Sequence, residues 1–372
     1  MVLRSDRNQP SRHAVSGPMQ RTIPLFVLVV MTACVAGSPQ ASSSAARPTP
    51  SPATSSQFPV AAPTLATPTV ATPTPPSPSA SASPATGLTC QLPVVVGSTP
   101  GFVTFPGGSF KGDPQPNLVR VPQSSPYAQV LIYDRPFNRW LNVPWWLVSP
   151  DGTRYVYRGS DGSVHLAAVS GASDQVVVGA GVSGGNGWFP VGITGPIVYV
   201  AATPKGSGPM SAPYFGLWSV NADGSSLKPI TQSGTWTVIG KGAAWGVENY
   251  GLSLNRLDLS TGAVVAWYAQ PNSVLLLYDL DSSGNPVVGV AGAGQSSFVV
   301  GVITGQNTLN PVALPSGTAW GTYGHSVQNA LAAQAGIWLT MSDGGLLYAP
   351  QGATFQLMAD IPGIANVGAG CH

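Results

Sequence analysis

Two distant stretches of this chain follow one pattern of strands and turns, and that repetition limits the fold more than any other feature. From Trp145 to Gly181 the sequence reads W-W-L-V-S-P-D-G-T-R-Y-V-Y-R-G-S-D-G-S-V-H-L-A-A-V-S-G-A-S-D-Q-V-V-V-G-A-G. Its β-rich runs, Trp145 to Ser149, Thr153 to Arg158, Ser163 to Val169 and Gln175 to Val178, are separated by turn clusters at Pro150-Asp151-Gly152, Ser160-Asp161-Gly162 and Ser170-Gly171-Ala172. Ile337 to Asp360 repeats strand, S-D-G turn, strand, small-residue turn and strand in the same order. Leu217 to Thr231 and Leu254 to Ala269 each repeat the outer two strands.

The repeats fix a period. Inner strands are expected to begin near Trp145, Trp188, Thr235, Val274, Ala319 and Ile364, at spacings of 43, 47, 39, 45 and 45 residues. Four antiparallel strands every 40 to 50 residues or so are the mark of a β-propeller blade. Leu92 to Val143 then supplies one further blade. The expectation is an all-β chain with a single propeller of six four-stranded blades over residues 87–372, five or seven being the alternatives because the first blade is poorly marked.

The rest of the chain is of another kind. Arg4 to Arg21 is basic and polar, and Ile23 to Val35 is apolar but for Pro24, Thr32 and Cys34. That run is shorter than the roughly 20 residues needed to span a bilayer and has the anatomy of a secretion signal, with initiation at Met1 or at Met19. Met31-Thr32-Ala33-Cys34 resembles a bacterial lipobox, with Met31 where Leu is usual. The resemblance implies a signal peptide over 1–33 and a lipidated Cys34; an ordinary signal with an incidental cysteine is the alternative. Each buried CH₂ of an acyl chain contributes about 0.8 kcal/mol, so a multiply acylated terminus holds a soluble domain on a membrane. Ala36 to Thr86 is nearly all Ser, Pro, Ala and Thr, a composition that buries no core. Residues 34–86 therefore read as a disordered stalk that lifts the domain from the lipid surface.

Charge and cysteine usage narrow the setting. Of 15 Lys and Arg and 13 acids, residues 87–372 hold 10 and 12, so the positive balance of the whole chain belongs to the leader and no basic footprint for nucleic acid remains. Besides Cys34, the cysteines are Cys90 and Cys371, at the two ends of the domain. A disulfide between them would tie the ring where it closes and fits an oxidising compartment. In the chain-entropy picture so long a loop contributes roughly 4 to 5 kcal/mol; two unrelated thiols are the alternative.

The S-P-D-G-T-R-Y-V-Y beginning at Ser149 and the N-A-D-G-S-S-L-K-P-I-T beginning at Asn221 resemble the repeats of TolB-type propellers, whose S-P-D-G closes the turn between the first two strands of a blade. The resemblance implies a protein-binding scaffold of the cell envelope and carries over no site residue.

No catalytic constellation or cofactor motif is legible. The histidines are His13, His165, His325 and His372; His165 reads as an ordinary strand residue, and His325 is the one to test as a ligand. No H-x-x-x-H, C-x-x-C or H-E-x-x-H spacing points to a metal, and no G-x-S-x-G to a nucleophile. Asp151, Asp161, Asp223 and Asp343 precede Gly, as turn formers do; Asp279 and Asp281 are the one close acidic pair after an inner strand. Trp145, Trp146, Trp188, Trp236 and Trp320 begin inner strands and are the candidates for a binding face. They should gather where the connections between second and third strands emerge, beneath long insertions at Pro106 to Ala128 and Thr203 to Tyr214. Packing between blades is the competing reading of the same tryptophans. The function expected is non-enzymatic binding of an envelope protein or glycan, with a lyase-like or lactonase-like propeller enzyme and a purely structural protein as alternatives.

Overall fold

The computed structural model describes residues 87–121, 130–183, 187–202, 215–248, 251–292, 298–315, 326–333 and 336–372. Cys34, the leader, the stalk, Trp320, His325 and the insertion at Thr203 to Tyr214 lie outside them.

The described residues form one β-propeller of seven blades, not the six expected. The first blade joins the chain ends: β1 (Cys90–Val96), β2 (Thr99–Phe105) and β3 (Ser109–Gly112) lie outside β26 (Ile364–Val367). The second is short, with β4 (Leu118–Val119), β5 (Ile132–Asp134) and β6 (Arg139–Leu141); the third has β7 (Arg154–Arg158), β8 (Val164–Ala168) and β9 (Asp174–Val178). The fourth runs β10 (Trp188–Thr194), β11 (Ile197–Ala202), β12 (Phe215–Asn221) and β13 (Lys228–Thr231). The fifth runs β14 (Val238–Gly240), β15 (Ala243–Glu248), β16 (Ser253–Asp258) and β17 (Val264–Ala269). The sixth is β18 (Ser273–Leu280), β19 (Pro286–Gly292), β20 (Phe298–Gly305) and β21 (Thr308–Val312). The seventh is β22 (Val327–Ala333), β23 (Gly336–Met341), β24 (Gly345–Pro350) and β25 (Gln356–Asp360).

Ring closure accounts for the seventh blade. Because β26 pairs antiparallel with β1, Val94 opposite Val367, the N-terminal segment completes a blade whose inner strand comes from the C-terminus. The chain beyond β3 is then free to build a blade of its own. In it β4 pairs parallel with β6, Leu118 opposite Trp140, so the third strand comes from the chain before the inner one. The span from Pro106 to Ala128 therefore includes β3 and β4 and is not one insertion within a blade.

Blade 3 has three strands and lacks the inner strand that the sequence predicts. Its expected inner strand, Trp145 to Ser149, is a single 3₁₀ turn over Trp145–Leu147, followed by one bridge from Val148 to Tyr155. Pro144 precedes the turn with φ −60° and no N–H to give a ladder, and Leu147 N–H donates back to its carbonyl at 3.0 Å. Both indoles are thereby carried into the channel rather than along a strand.

The outermost strands are the most exposed, and in blades 6 and 7 the second strand is more buried than the inner one. β10 is buried over Trp188 to Ile193 and β23 throughout, whereas the outer β9, β17 and β25 are largely exposed. Trp140, Trp236 and Trp338 are fully buried, and Trp338 stacks on Phe105 with ring centroids 5.7 Å apart.

Candidate functional site

The inner strands β5, β10, β14 and β22 end at Asp134, Thr194, Gly240 and Ala333, and all four residues line one cavity of about 740 Å³ at the mouth of the central channel. This is the face of the turns between first and second strands, opposite to the one the sequence indicates. Trp145 and Trp146 also line it, meeting edge to face with centroids 5.8 Å apart. Both are half-buried, and Trp145 packs against three separate groups of core residues, around Trp338, Trp188 and Trp245. Trp146 is seated by Gly192: a Cβ there would lie 2.9 Å from Ile239 Cγ1 and 3.5 Å from the Trp146 carbonyl oxygen.

Charged groups form the rim, and its acids are engaged. Asp134 is buried; its carboxylate accepts from Phe137 N–H at 3.0 Å, and burial pushes it above the usual carboxylate range. Gly152, at φ 70°, leaves room for it, since a Cβ would lie 2.9 Å from Asp134 Oδ2. Arg135 donates to the Gly370 carbonyl, and burial lowers its pKa from the ordinary value. The tail from Gly368 to Cys371 forms a wall, held by the Cys90–Cys371 disulfide and by paired backbone bonds between Gln91 and His372.

Asp151 is the rim acid whose role the sequence reads correctly. It accepts from Ser149 Oγ at 2.6 Å, Thr153 N–H at 3.0 Å and Thr153 Oγ1 at 2.8 Å, which lower its pKa to about 2. A carboxylate stabilised in this way strengthens the fold above the unfolded value near pH 4, and the contribution is lost as pH falls toward about 2. Asp151→Ala is expected to lower Tm at neutral pH, the difference from the wild type fading on acidification; a difference independent of pH in thermal melts would refute the assignment.

The remaining candidates separate. Trp188 and Trp236 are buried at 3% and 1% exposure, Trp188 against Trp218 and Trp236 with its indole N–H donating to the Ser233 carbonyl. They fill the structure and present no face to a ligand. Arg135 and Lys241 escaped the sequence reading although both line the mouth; their position one residue past an inner strand is the signal that marks them.

A polar chain on blade 3 resembles a catalytic relay without its access. Ser163 Oγ lies 2.9 Å from His165 Nε2, and His165 Nδ1 lies 3.0 Å from Asp174 Oδ1. Ser163 is only 1% exposed, its hydroxyl donates to Asp161 Oδ1 at 2.6 Å, and Gly159 covers it so closely that a Cβ would lie 2.9 Å from Oγ. No substrate carbonyl can approach, so the chain fastens strands and offers no nucleophile. Among the described residues no group of three or more His, Cys, Asp or Glu could hold a metal ion.

No protein-family profile matches the chain, and no curated protein does. Similar solved structures are distant. A putative TolB from Agrobacterium tumefaciens has TM-score 0.36 and 11% identity, over 60% of this chain and 82% of that one. An oligogalacturonate lyase from Vibrio parahaemolyticus has TM-score 0.41 and 10% identity, over 57% and 64%. A chain of a nidogen/laminin complex has TM-score 0.40 and 9% identity, over 70% and 89%.

Proposed function

We propose that this protein is a non-enzymatic binding module, displayed by a lipid anchor on the outer side of a bacterial membrane, that holds a segment of an envelope protein in its channel mouth. The cavity floored by Trp145 and Trp146 carries this reading. A concave, largely apolar site with a few polar groups at its edge suits an inserted side chain or loop. A protein segment is favoured over a glycan by the apolar side chains of the lining, Ile132, Trp145, Trp146, Ile193 and Leu331 among them. Among the described residues that line the mouth, Asp134 and Asp151 are the acids and no histidine stands with them, which favours binding over a lyase or lactonase reaction. Export is supported by the signal-like leader and by the Cys90–Cys371 disulfide, and the near-neutral domain argues against nucleic acid.

Two measurements test the reading. Immobilised full chain should capture a protein from envelope extract, and Trp145→Leu, which keeps apolar bulk in the channel, should reduce capture about tenfold or more while retaining the β-sheet circular dichroism. Capture that survives the substitution, or recovery of a glycan alone, would overturn it. Mass spectrometry of the mature N-terminus should find acylated Cys34, and an unmodified later residue would remove the anchor.

A further inference from the structure

The fifth blade places a lysine where turn chemistry disfavours one. β14 and β15 are joined by the two-residue loop Lys241-Gly242, with Gly240 paired to Ala243. Both loop residues have positive φ, 45° and 77°, as a type I′ hairpin turn requires. Asn, Asp or Gly normally takes the first of these positions, because a Cβ is strained there. Among the described residues the other non-glycine residues with positive φ are Asn138, Ser226, Asn272 and Asn307, all short, so Lys241 is the long side chain held there in that conformation. Strain of this kind concentrates at functional positions.

The lysine is also seated. A Cβ at Gly284, in the matching turn of blade 6, would lie 3.0 to 3.1 Å from Lys241 Cβ, Cγ and Cδ, so the stem rests on the glycine. The contacts of the described residues give its ammonium no hydrogen bond or ion pair, although it lines the mouth. The nearby acids accept within their own turns, Asp134 and Asp151 through one oxygen each and Asp281 from the backbone N–H groups of Ser283 and Asn285 at 2.8 Å, and Arg135 donates to the Gly370 carbonyl.

We infer that the channel mouth is a site for a carboxylate-bearing apolar group, such as a peptide C-terminus with an aromatic last residue, whose ring rests on Trp145 and Trp146 and whose carboxylate accepts from Lys241 Nζ. The inference rests on the mouth being the ligand site and adds the chemistry of the ligand.

The probes are N-acetyl-phenylalanine and its amide, titrated against the full chain and followed by ligand-observed NMR. Lys241 is exposed, and an ion pair at an exposed ammonium predicts that the acid binds about two to five times more tightly than the amide. Lys241→Gly should abolish that preference while Tm stays level or rises, because glycine suits the turn better; a purely structural lysine would give the opposite stability result. Trp145→Leu should weaken both probes equally. Equal binding of acid and amide to the wild type, or a preference that survives in Lys241→Gly, overturns the anion site and leaves the cavity reading standing. Failure of both probes to bind overturns the two together.

Discussion

Reduction of the Cys90–Cys371 disulfide is expected to lower the free energy of unfolding by about 5 kcal/mol without opening the ring. The bridge joins residues 281 positions apart, so nearly the whole domain is one closed loop when the chain unfolds. Cutting it releases that loop and stabilises the unfolded ensemble. The native ring loses less, because its closure does not depend on sulfur. β26 pairs with β1 at Val94 to Val367 and Val95 to Asn366, Gly368 N–H donates to the Pro93 carbonyl at 2.8 Å, and Gln91 and His372 exchange two backbone bonds. Denaturant titration of the full chain with and without reductant checks this. The reduced form should unfold earlier with a steeper denaturant dependence, since its unfolded state exposes more surface, while its native circular dichroism matches that of the oxidised form. A shift below about 1 kcal/mol would show that strain in the native bridge offsets the entropy. Loss of the native spectrum would show that the bridge, and not β26, closes the propeller.

The same closure separates what the sequence declares from what it conceals. The outer strands of blades 3, 5 and 7 are legible because alternation and turn chemistry agree: the S-D-G and S-P-D-G turns place glycines at φ 86° and 70°, at Gly162 and Gly152, and strands β7, β8 and β9 come on schedule. Blade 2 is invisible to the same reading. Its strands hold two and three residues, too few for a period, and its parallel pair joins Leu118 to Trp140 through the fold alone. W-W-L-V reads as a strand by composition, yet Pro144 and the 3₁₀ turn decide otherwise. The channel mouth is harder still. Asp134, Arg135 and Lys241 stand on turns of two blades more than a hundred residues apart and share a cavity only once the ring is complete. The cysteine pair is readable because a ring has one seam and the domain has two cysteines, one at each side of it.

Asp279 shows how a buried acid serves the ring, and its removal should be costly. Expected from the sequence to follow an inner strand as one of a close acidic pair with Asp281, it lies within the inner strand β18, 1% exposed, and its two oxygens accept from Leu280 N–H and, at 2.6 Å, from Ala332 N–H on β22. It thus ties two neighbouring inner strands beneath the cavity wall that Ala332 lines. Asp279→Ala leaves both donors unsatisfied away from water, at about 1 to 3 kcal/mol each, for a total loss of roughly 3 to 5 kcal/mol. The loss should vary with pH in a direction set by burial, which raises this carboxyl well above its ordinary value. A group whose pKa is higher in the folded than in the unfolded state gives its full stability below the unfolded value near 4, and loses it as pH rises toward the folded value. The gap between the wild type and Asp279→Ala should therefore be widest near pH 4 and narrow toward pH 8 in denaturant titrations. A gap that widens with rising pH would mean that the two N–H donors outweigh desolvation and keep the carboxylate ionised, so that Asp279 acts as a buried charge.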